Sequence, residues 1–319
     1  MEIIRGLESY PPDLEPTVVA LGAFDGVHLA HQTILSTAVG SARALGLTAL
    51  ACTFDPHPLQ VLQPHQAPPP INTLDETLAL MAAQGLDVCL VIPFTRAFSL
   101  MEADQFVREV LLRRLKAREV VVGFNHTFGH SARGNPELLK KLAPALGLTI
   151  HVIPPLTVDG VTVSSSVVRE ALRAGDVRQA RRFLGHPYSV RGPVRRGPGR
   201  GRQVGFPTAN LKPEQELLLA AGVYACLASV ETAGGETFAE PCGAAVNVGI
   251  RPTFGEGEYW VEAHLLNFSG DLYDHLLTLQ FLERIRPEQK FPDVEALRAQ
   301  VARDIEVATR LLASGARRA

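Results

Sequence analysis

The chain has 319 residues, of which 46% are hydrophobic and 20% charged, and its formal net charge at pH 7 is −2. This composition is typical of globular proteins, and the length allows two domains of ordinary size. The small negative charge excludes a general electrostatic attraction to nucleic acid or to an anionic membrane.

No apolar run of the sequence reaches the length that a membrane span needs. The N-terminal residues lack the basic-then-apolar pattern of a signal peptide. The cysteines are widely spaced and form no Cys-x-x-Cys pair: Cys52, Cys89, Cys226 and Cys242. We therefore expect reduced, buried cysteines, a cytoplasmic location, and neither a membrane nor a nucleic acid as partner.

From residue 17 to about residue 184, strand-like runs alternate with helical patterns. Most runs are continuously apolar, as the buried strands of a parallel sheet are: 17–21, 47–54, 88–94, 119–123 and 149–154. Helices are predicted to start near these residues: His31, Thr73, Met101, Asn135 and Ser165. The alternation predicts a Rossmann-like α/β domain with a parallel sheet and helices on both faces. Its ligands are expected beyond the carboxyl ends of the strands.

The segment that joins the first strand to the first helix contains two glycines, Gly22 and Gly26, and two histidines, His28 and His31. Unpaired backbone N–H groups and the positive end of the helix dipole favour an anion at this point. The glycines allow the backbone to approach a ligand closely, and side chains three residues apart share one face of a helix. The segment therefore predicts a binding site for a polyphosphate.

Other interpretations of the histidine pair remain open. A histidine at a helix start is often a surface residue or a cap, and two histidines three apart can form half of a zinc site, although no cysteine lies near them. The segment also resembles the His-x-Gly-His signature of the nucleotidyltransferase superfamily, whose members transfer AMP or CMP from a nucleoside triphosphate. Ala30 replaces the glycine of that signature, and as the smallest alternative it is expected to be tolerated.

Three more segments follow predicted strands or open a predicted helix. The proline-rich segment 53–58 predicts an extended loop that presents Phe54 and His57, or alternatively a rigid turn. Asn125 follows the fourth strand and has aromatic neighbours. Serines followed by an arginine are either ordinary caps or a second phosphate site: Ser164, Ser165, Ser166 and Arg169. Each signal is weak alone, but all of them converge on one edge of the sheet.

After residue 185 glycine and proline become frequent and period-2 strands appear. The candidate strands are short and evenly spaced: 188–190, 222–232, 238–248, 259–268 and 276–285. They predict an antiparallel β-barrel, and an apolar stripe from Val294 to Leu312 predicts a long terminal helix. We expect two domains, residues 1–184 and 185–319.

Two features of this second half carry chemistry. In the motif Gly-Phe-Pro-Thr-Ala-Asn, the Thr208 hydroxyl and the Asn210 carbonyl are hard oxygen ligands, which suit Mg²⁺ bound together with substrate phosphates. Trp260, Glu262 and His264 alternate with apolar residues and therefore share one face of a strand. Glu262 is either a general base or a residue on an exposed face of the barrel.

Taken together, these residues resemble the bacterial bifunctional riboflavin kinase / FAD synthetase family over residues 15 to 310. In the first half the resemblance is carried by these segments: Gly22 to His31, residues 53–58, Val122 to Asn125 with Phe128 and Gly129, and Ser164 to Ser166 with Arg169. In the second half it is carried by residues 205–210, Gly222 to Ala225, Asn247 to Phe254, Val261 to His264 and residues 281–291. The sequence departs from the family pattern at Ala30, Ile250 and Ser166, and none of these changes removes a reactive group.

The resemblance implies two ATP-dependent reactions. The C-terminal domain would phosphorylate riboflavin to FMN, with Glu262 taking the proton of the ribityl 5′-hydroxyl and with Thr208 and Asn210 holding Mg²⁺ against ATP. The N-terminal domain would transfer AMP from a second ATP to FMN, giving FAD and pyrophosphate, with His28 and His31 stabilising charge on the phosphates. Further residues that would contact nucleotide are Gly22, Phe24, Gly26, Asn125, Ser164, Ser165, Ser166, Arg169 and Gly205.

Two alternatives stay open. One half can be inactive, which would leave only an adenylyltransferase or only a kinase, but we expect both halves to work because both retain their reactive residues. An arginine-rich run also fits a nucleic-acid-binding barrel, although it lacks the interleaved aromatic residues that stack on bases. We expect these arginines to form a phosphate-facing flap instead: Arg191, Arg195, Arg196, Arg200 and Arg202.

Overall fold

The computed structural model describes residues 1–11, 15–197, 201, 205–232, 234–251 and 258–315. The backbone contacts divide the chain into two compact units, Met1–Ser164 and Ser165–Ala319. Three groups of residues singled out by the sequence lie outside the described residues: Arg200, Arg202 and residues 252–254.

A six-stranded parallel sheet forms the centre of the first unit. Its strands are β1 (Glu2–Arg5), β2 (Thr17–Leu21), β3 (Thr48–Asp55), β4 (Val88–Pro93), β5 (Ala117–Gly123) and β6 (Thr149–Ile153). They lie in the order β1-β4-β3-β2-β5-β6, and all neighbours pair in parallel. This confirms the predicted sheet and adds β1 at its edge. A small hairpin, β7 (Thr157–Val158) with β8 (Val161–Thr162), follows the sheet.

Helices cover both faces of the sheet, as predicted. On one face α1 (Leu29–Leu45) and α3 (Leu74–Ala82) pack against one set of alternating strand residues, with Leu35 and Met81 fully buried. The other face is covered by α4, which begins as Ala103–Gln105 and continues as a π-helix over Phe106–Arg114, and by α5 (Pro136–Leu146). Three 3₁₀ turns complete the unit: Pro64–Gln66, Phe98–Leu100 and His130–Ala132.

The segment after β3 differs from the extended loop predicted for it. A short helix, α2 (Pro58–Leu62), begins there, with His57 as its N-cap. The Nδ1 atom of His57 accepts a hydrogen bond from the backbone N–H of Leu59 at 3.2 Å, and the Gln60 side chain accepts from the His57 backbone N–H. Pro58 is the first residue of this helix. The backbone nitrogen at that position makes no hydrogen bond within a helix, so the missing N–H of proline costs nothing there and Pro58 can begin the helix.

A closed six-stranded antiparallel barrel forms most of the second unit. Its strands are β9 (Tyr188–Arg195), β10 (Ala209–Leu211), β11 (Gly222–Glu231), β12 (Thr237–Arg251), β13 (Glu258–Leu265) and β14 (Leu276–Pro287). They close in the order β10-β13-β12-β11-β14-β9, which confirms the predicted barrel. Large apolar side chains such as Tyr224 and Phe281 fill the interior.

Among the described residues, the second unit also contains these three helices. α6 (Ser165–Arg173) and α7 (Val177–Leu184) precede the barrel, and α7 contacts β9 and β14. The long terminal helix α8 (Val294–Gly315) lies over Ala225 and Ala245 through its buried residue Ala308. Among the helices of the described part, none has the length and apolar character needed to cross a bilayer. The boundary predicted near residue 185 stays a prediction.

A buried ion pair fastens α8 to the barrel. The Arg286 guanidinium on β14 donates to both carboxylate oxygens of Asp304 at distances of 2.7 to 3.0 Å, and Gln300 donates to the same carboxylate at 2.8 Å. The side chains are only 17% and 6% exposed. Removing one partner of such a pair leaves a buried charge without compensation, which costs about 3–5 kcal/mol.

We therefore expect Asp304→Ala to lower the free energy of unfolding of the barrel unit by about 3 kcal/mol. Urea denaturation followed by tryptophan fluorescence measures this unit selectively, because Trp260 is the one tryptophan of the chain. Arg298→Ala is the control, since Arg298 is an exposed residue of the same helix and its loss should leave stability unchanged. A loss below about 1 kcal/mol for Asp304→Ala would show that the pair does not hold the helix.

Candidate active sites

The first candidate site lies where β2 ends and α1 begins. The loop turns at Gly26, whose φ of +81° is a left-handed conformation that favours glycine. At Gly22 a Cβ atom would lie 3.0 Å from the ring of Phe24, so a larger residue would displace that ring. Phe24 itself is fully buried. The backbone of this loop is therefore held in place before any ligand binds.

His28 and His31 stand together at the start of α1. His28 is the N-cap of the helix, and its Nδ1 atom accepts a hydrogen bond from the backbone N–H of His31 at 3.3 Å. The two rings stack with centroids 3.6 Å apart, and Phe24 packs edge-on against His31 at 5.4 Å. The sequence places His28 inside the first helical turn, whereas the structure makes it the cap, because its imidazole supplies the acceptor that a cap needs.

The hydrogen bond of His28 and the lowered pKa of His31 both favour neutral imidazoles at this site. Because Nδ1 of His28 is an acceptor, the neutral ring carries its proton on Nε2. Burial, and then the neighbouring His28 ring, hold the pKa of His31 well below its usual range. Its buried Nδ1 atom has no hydrogen-bond partner among the described residues. The described part of the chain contains no group of three His, Cys, Asp or Glu side chains placed to hold a metal ion. The zinc interpretation of the histidine pair therefore finds no further ligand in that part of the chain.

Sequence reasoning misses two buried polar residues of this unit. Asp25 accepts a hydrogen bond from the backbone N–H of Ile71 at 2.8 Å, which ties the segment before α3 to the loop. The adjacent Asn72 is 3% exposed, and neither polar atom of its amide has a partner in the part of the chain that the structure describes. A buried amide without partners costs free energy, so Asn72 is a candidate contact for a ligand. The capping box at Thr73 gives no hint of this role.

Asn125 lies in the loop that follows β5, with an exposed side chain. Aromatic rings from β3, from the segment after β4, from α4 and from the loop after β5 form a continuous series with centroids 5.5 to 6.3 Å apart: Phe54, Phe94, Phe98, Phe106 and Phe128. His126 stacks on Phe128, and burial lowers the pKa of His126 to about 4. Phe106 and Phe128 are buried in the core of the unit, so Phe128 anchors the loop after β5 that also carries Asn125.

The serine triplet spans the point where the first unit ends, at Ser164, and the second begins, at Ser165, and Arg169 lies in the second. Ser165 is the first residue of α6, and Arg169 on the same helix is 6% exposed. Serine is a common residue at a helix start because its hydroxyl accepts from backbone N–H groups. The predicted phosphate contact of Ser164, Ser165, Ser166 and Arg169 stays a prediction.

The second candidate site is a polar row on the outer face of the barrel. Asn210 on β10 pairs with Glu262 on β13, and Glu262 pairs on its other side with Asn247 on β12. The strand neighbours Val261 and Ala263 are fully buried in the interior, so the three polar side chains point outward. Directly opposed residues have Cβ atoms about 5 Å apart, so the two amides flank the carboxylate.

The glycine-rich loop approaches this row closely. Gly197 lies against the Asn210 amide, and a Cβ atom at Gly201 would lie 2.8 Å from Thr208 Oγ1. Glycine is therefore required at both positions for the loop to cover these side chains. The N–H of His264 Nδ1 donates to the carbonyl of Pro207 at 2.9 Å, which fastens the predicted Gly-Phe-Pro-Thr-Ala-Asn motif to β13.

Thr208 and Asn210 form an oxygen donor set that fits Mg²⁺. Asn210 is 8% exposed, and its Oδ1 atom has no hydrogen-bond partner within the described residues. Thr208 precedes it by two residues, with a half-buried side chain. A buried carbonyl oxygen without a donor is destabilising, and a hard cation that keeps water and phosphate ligands would satisfy it.

Glu262 is anchored by its strand neighbour Trp260, which also lines a cavity. Its Oε1 atom accepts a hydrogen bond from the indole Nε1 of Trp260 at 2.6 Å. A cavity of 330 Å³ shares Asn210 with this row. Its aromatic, amide and charged lining residues are two aromatic residues, two amides, three cations and one carboxylate: Tyr259, Trp260, Asn210, Gln215, Arg195, Arg196, Lys212 and Glu216. Cations and aromatic rings around one cavity suit a ligand that carries both phosphates and a flat ring.

One arginine of the basic run has a different partner. Arg191 on β9 donates to the Glu231 carboxylate at 2.7 Å, with both side chains about one-third exposed. Its charge is therefore used within the barrel, which removes it from the predicted phosphate-facing flap. Arg196 lies over the ring of Tyr273 at 4.9 Å from the centroid.

Comparison with known proteins places both units. Residues 10–167 match the family model of FAD synthetase, and residues 184–312 match that of riboflavin kinase. Bifunctional riboflavin kinase/FMN adenylyltransferases from Pseudomonas fluorescens and Escherichia coli K12 are each 34% identical to the chain. The first alignment covers 100% of both chains, and the second covers 95% of this chain and 96% of the relative. The Bacillus subtilis enzyme of the same description is 34% identical over 92% of each chain.

A crystal structure supports the fold assignment. A Streptococcus pneumoniae protein described as a macrolide-efflux protein superposes with a TM-score of 0.85 at 29% identity, covering 97% of this chain and 99% of that one. The two units together define an ATP-dependent transferase that acts on flavins. The chain belongs to the bifunctional riboflavin kinase/FMN adenylyltransferase family. It phosphorylates riboflavin to FMN and adenylylates FMN to FAD, which confirms both predicted activities.

Proposed function

We propose that Glu262 is the general base of the kinase reaction. The observation that carries this proposal is the register that sets Glu262 directly opposite Asn210, whose buried Oδ1 atom has no donor in the described structure. The carboxylate takes the proton of the ribityl 5′-hydroxyl while the hydroxyl oxygen attacks the γ-phosphorus of ATP, and ADP leaves. A positioned base of this kind typically contributes about 10²–10⁴ in rate.

Thr208 and Asn210 hold Mg²⁺ in this proposal. When bound, the ion neutralises charge on the ATP phosphates. The chain supplies the hydroxyl and the amide oxygen as ligands, while Gly201 and Gly205 let the loop backbone lie close to the phosphates. Arg195, Arg196 and Lys212 add positive charge around the cavity. The side chains therefore act by positioning and by electrostatics, with no covalent intermediate.

The first unit performs adenylyl transfer in this proposal. A phosphate oxygen of FMN attacks the α-phosphorus of ATP, and pyrophosphate leaves. The Nε2–H of His28 and the neutral ring of His31 hydrogen-bond the phosphates at the start of α1, where backbone N–H groups and the helix dipole also favour negative charge. Gly22, Phe24 and Gly26 shape this loop, and Asn125 lies between the nucleotide and the flavin phosphate.

The remaining assignments concern the domain boundary, the location and the partners of the protein. We assign residues 1–184 to the adenylyltransferase domain and 185–319 to the kinase domain, with Ser164, Ser165, Ser166 and Arg169 contacting nucleotide phosphates in the first. The protein works in the cytoplasm on free flavins and ATP, and it uses neither nucleic acid nor membrane as a partner. The net charge of −2 supports this assignment, because nucleic-acid binding relies on excess positive charge.

A magnesium titration tests the metal assignment. We expect Asn210→Ala to raise the Mg²⁺ concentration for half-maximal riboflavin phosphorylation by about tenfold or more, because one ligand oxygen is lost. Asn210→Asp keeps a ligand oxygen and should stay within about threefold of the wild type. Adenylylation of FMN by the same variant proteins serves as the internal control, since its magnesium dependence should not move. An unchanged magnesium requirement for phosphorylation by Asn210→Ala would remove Asn210 from the metal site.

A further inference from the structure

One contact of the barrel site has no part in the mechanism proposed above. Trp260 and Glu262 are two residues apart on β13 and so share its outer face. The indole Nε1–H of Trp260 donates to Glu262 Oε1 at 2.6 Å. We propose that Trp260 is the positioning residue of Glu262, holding the carboxylate in the orientation in which it removes the hydroxyl proton. This inference rests on the proposed role of Glu262 as the base.

The carboxylate needs such an anchor because it has competing partners. A glutamate side chain on the outer face of a strand has several rotamers, and fixing it costs up to about 2 kcal/mol of entropy. The cavity that Trp260 lines contains three cationic side chains, Arg195, Arg196 and Lys212, and one carboxylate, Glu216. A mobile Glu262 carboxylate can form an ion pair with one of these cations. A carboxylate drawn into an ion pair would be turned away from the substrate hydroxyl.

The indole is suited to anchoring a base. Its N–H is a donor only and carries no charge, so it fixes the carboxylate without neutralising it, as a lysine or arginine partner would. The bond engages Oε1, so the proton of the substrate is accepted at Oε2. The flat, wide ring also lines the 330 Å³ cavity, so Trp260 joins this cavity to the carboxylate that it anchors.

Hydrogen-bond donors that hold a reacting group matter because catalysis is sensitive to small displacements. A misplacement of about 1 Å at a reacting group can cost about 10²-fold in rate. Loss of the indole donor should therefore lower the turnover number more than it affects substrate binding. The phenyl ring of Trp260→Phe keeps the apolar wall but lacks the N–H, and Trp260→His restores a ring N–H donor.

We expect Trp260→Phe to reduce kcat for riboflavin phosphorylation by about tenfold or more, while KM for ATP and for riboflavin changes by less than about threefold. Trp260→His should recover at least about a third of the wild-type kcat. FMN adenylylation by each variant monitors the first unit, and circular dichroism monitors the barrel. A drop confined to KM, or a His variant no better than Phe, would mean that Trp260 only lines the cavity and would overturn the proposal.

A spectroscopic test does not depend on activity. Because the chain has one tryptophan, a protein labelled with ¹⁵N-tryptophan gives one indole N–H signal. The signal should lie at a downfield, hydrogen-bonded position in the wild type and move upfield in Glu262→Ala. A signal that does not move in Glu262→Ala would contradict the contact on which the proposal is built.

The two levels of the proposal fail in distinguishable ways. If Glu262→Gln is inactive as a kinase but Trp260→Phe retains wild-type kcat, the positioning role is wrong and the role of the base stands. If Glu262→Gln still phosphorylates riboflavin at the wild-type rate, the base assignment is wrong, and the positioning role falls with it.

Discussion

Glu262→Gln is expected to lose riboflavin phosphorylation by about 10²–10⁴-fold in kcat while converting FMN to FAD at the wild-type rate. The substitution keeps the size of the side chain and an oxygen able to accept from Trp260, so it removes little besides the proton acceptor. Chromatographic separation of riboflavin, FMN and FAD after incubation with ATP and Mg²⁺ measures both steps in one run.

Glu240→Gln is the matched control for this substitution. Glu240 is an exposed glutamate on the same barrel, seven positions before Asn247 on β12, and roughly 23 Å from the polar row at the usual rise of a strand. It should phosphorylate riboflavin as the wild type does. Kinase activity retained in Glu262→Gln would show that Glu262 is not the base of the kinase reaction. Loss of both activities in a folded Glu262→Gln protein would show that its role is not confined to the kinase unit.

His28→Asn is expected to have the opposite effect. Asparagine is among the best N-caps, so it should preserve the start of α1, but it lacks the Nε2–H that we assign to the ATP phosphates. Removing one preorganised donor to developing charge typically costs about 10²–10³-fold in rate. We therefore expect FMN adenylylation to fall by about that factor, with riboflavin phosphorylation unchanged.

The exposed histidine of the same unit provides the control. His65 is exposed in the short turn Pro64–Gln66, and His65→Asn should leave both reactions as they are. Thermal unfolding of His28→Asn should match the wild type because the cap is preserved. An unaltered rate of FAD formation from FMN in His28→Asn would refute the role assigned to the histidine pair.

The elements that the sequence predicts well are those with a strong local pattern. The apolar runs of β2 and β4 and the amphipathic stripe of α8 are found within a few residues of the observed bounds. Four short strands are missed: β1, β10 and the two-residue strands β7 and β8. β1 is a four-residue edge strand of which only Ile4 is buried, and β10 has three residues, one of them Asn210. The pairing of β1 and β10 depends on distant strands, so no local pattern reveals these two.

The candidate site shows the same limit. Alternation along β13 is sufficient to place Trp260, Glu262 and His264 on one face. It gives neither the hydrogen bond between Trp260 and Glu262 nor the register that sets Asn210 and Asn247 on either side of the carboxylate. Register between strands about 15 and 50 residues apart in the chain is decided by barrel closure, which is a tertiary property.

The burial of polar side chains is equally hidden from the sequence. The histidine pair of the first unit suggests phosphate binding, but the low pKa of His31 arises from burial and from the stacked His28 ring. Asn72 is the clearest case, because an asparagine before a helix cap is ordinary in a sequence and becomes notable only when its amide is buried without partners among the described residues.

Each unit is expected to bind its own ATP, the first beside His28 and His31 and the second beside Thr208 and Asn210. A crystal structure of the protein with a non-hydrolysable ATP analogue and Mg²⁺ tests this claim most directly. We expect two nucleotides per chain, one with its phosphates at the start of α1 beside His28 and His31, and one with a magnesium ion bound by Thr208 and Asn210. A single nucleotide per chain, or a second nucleotide whose magnesium lies away from Thr208 and Asn210, would contradict it.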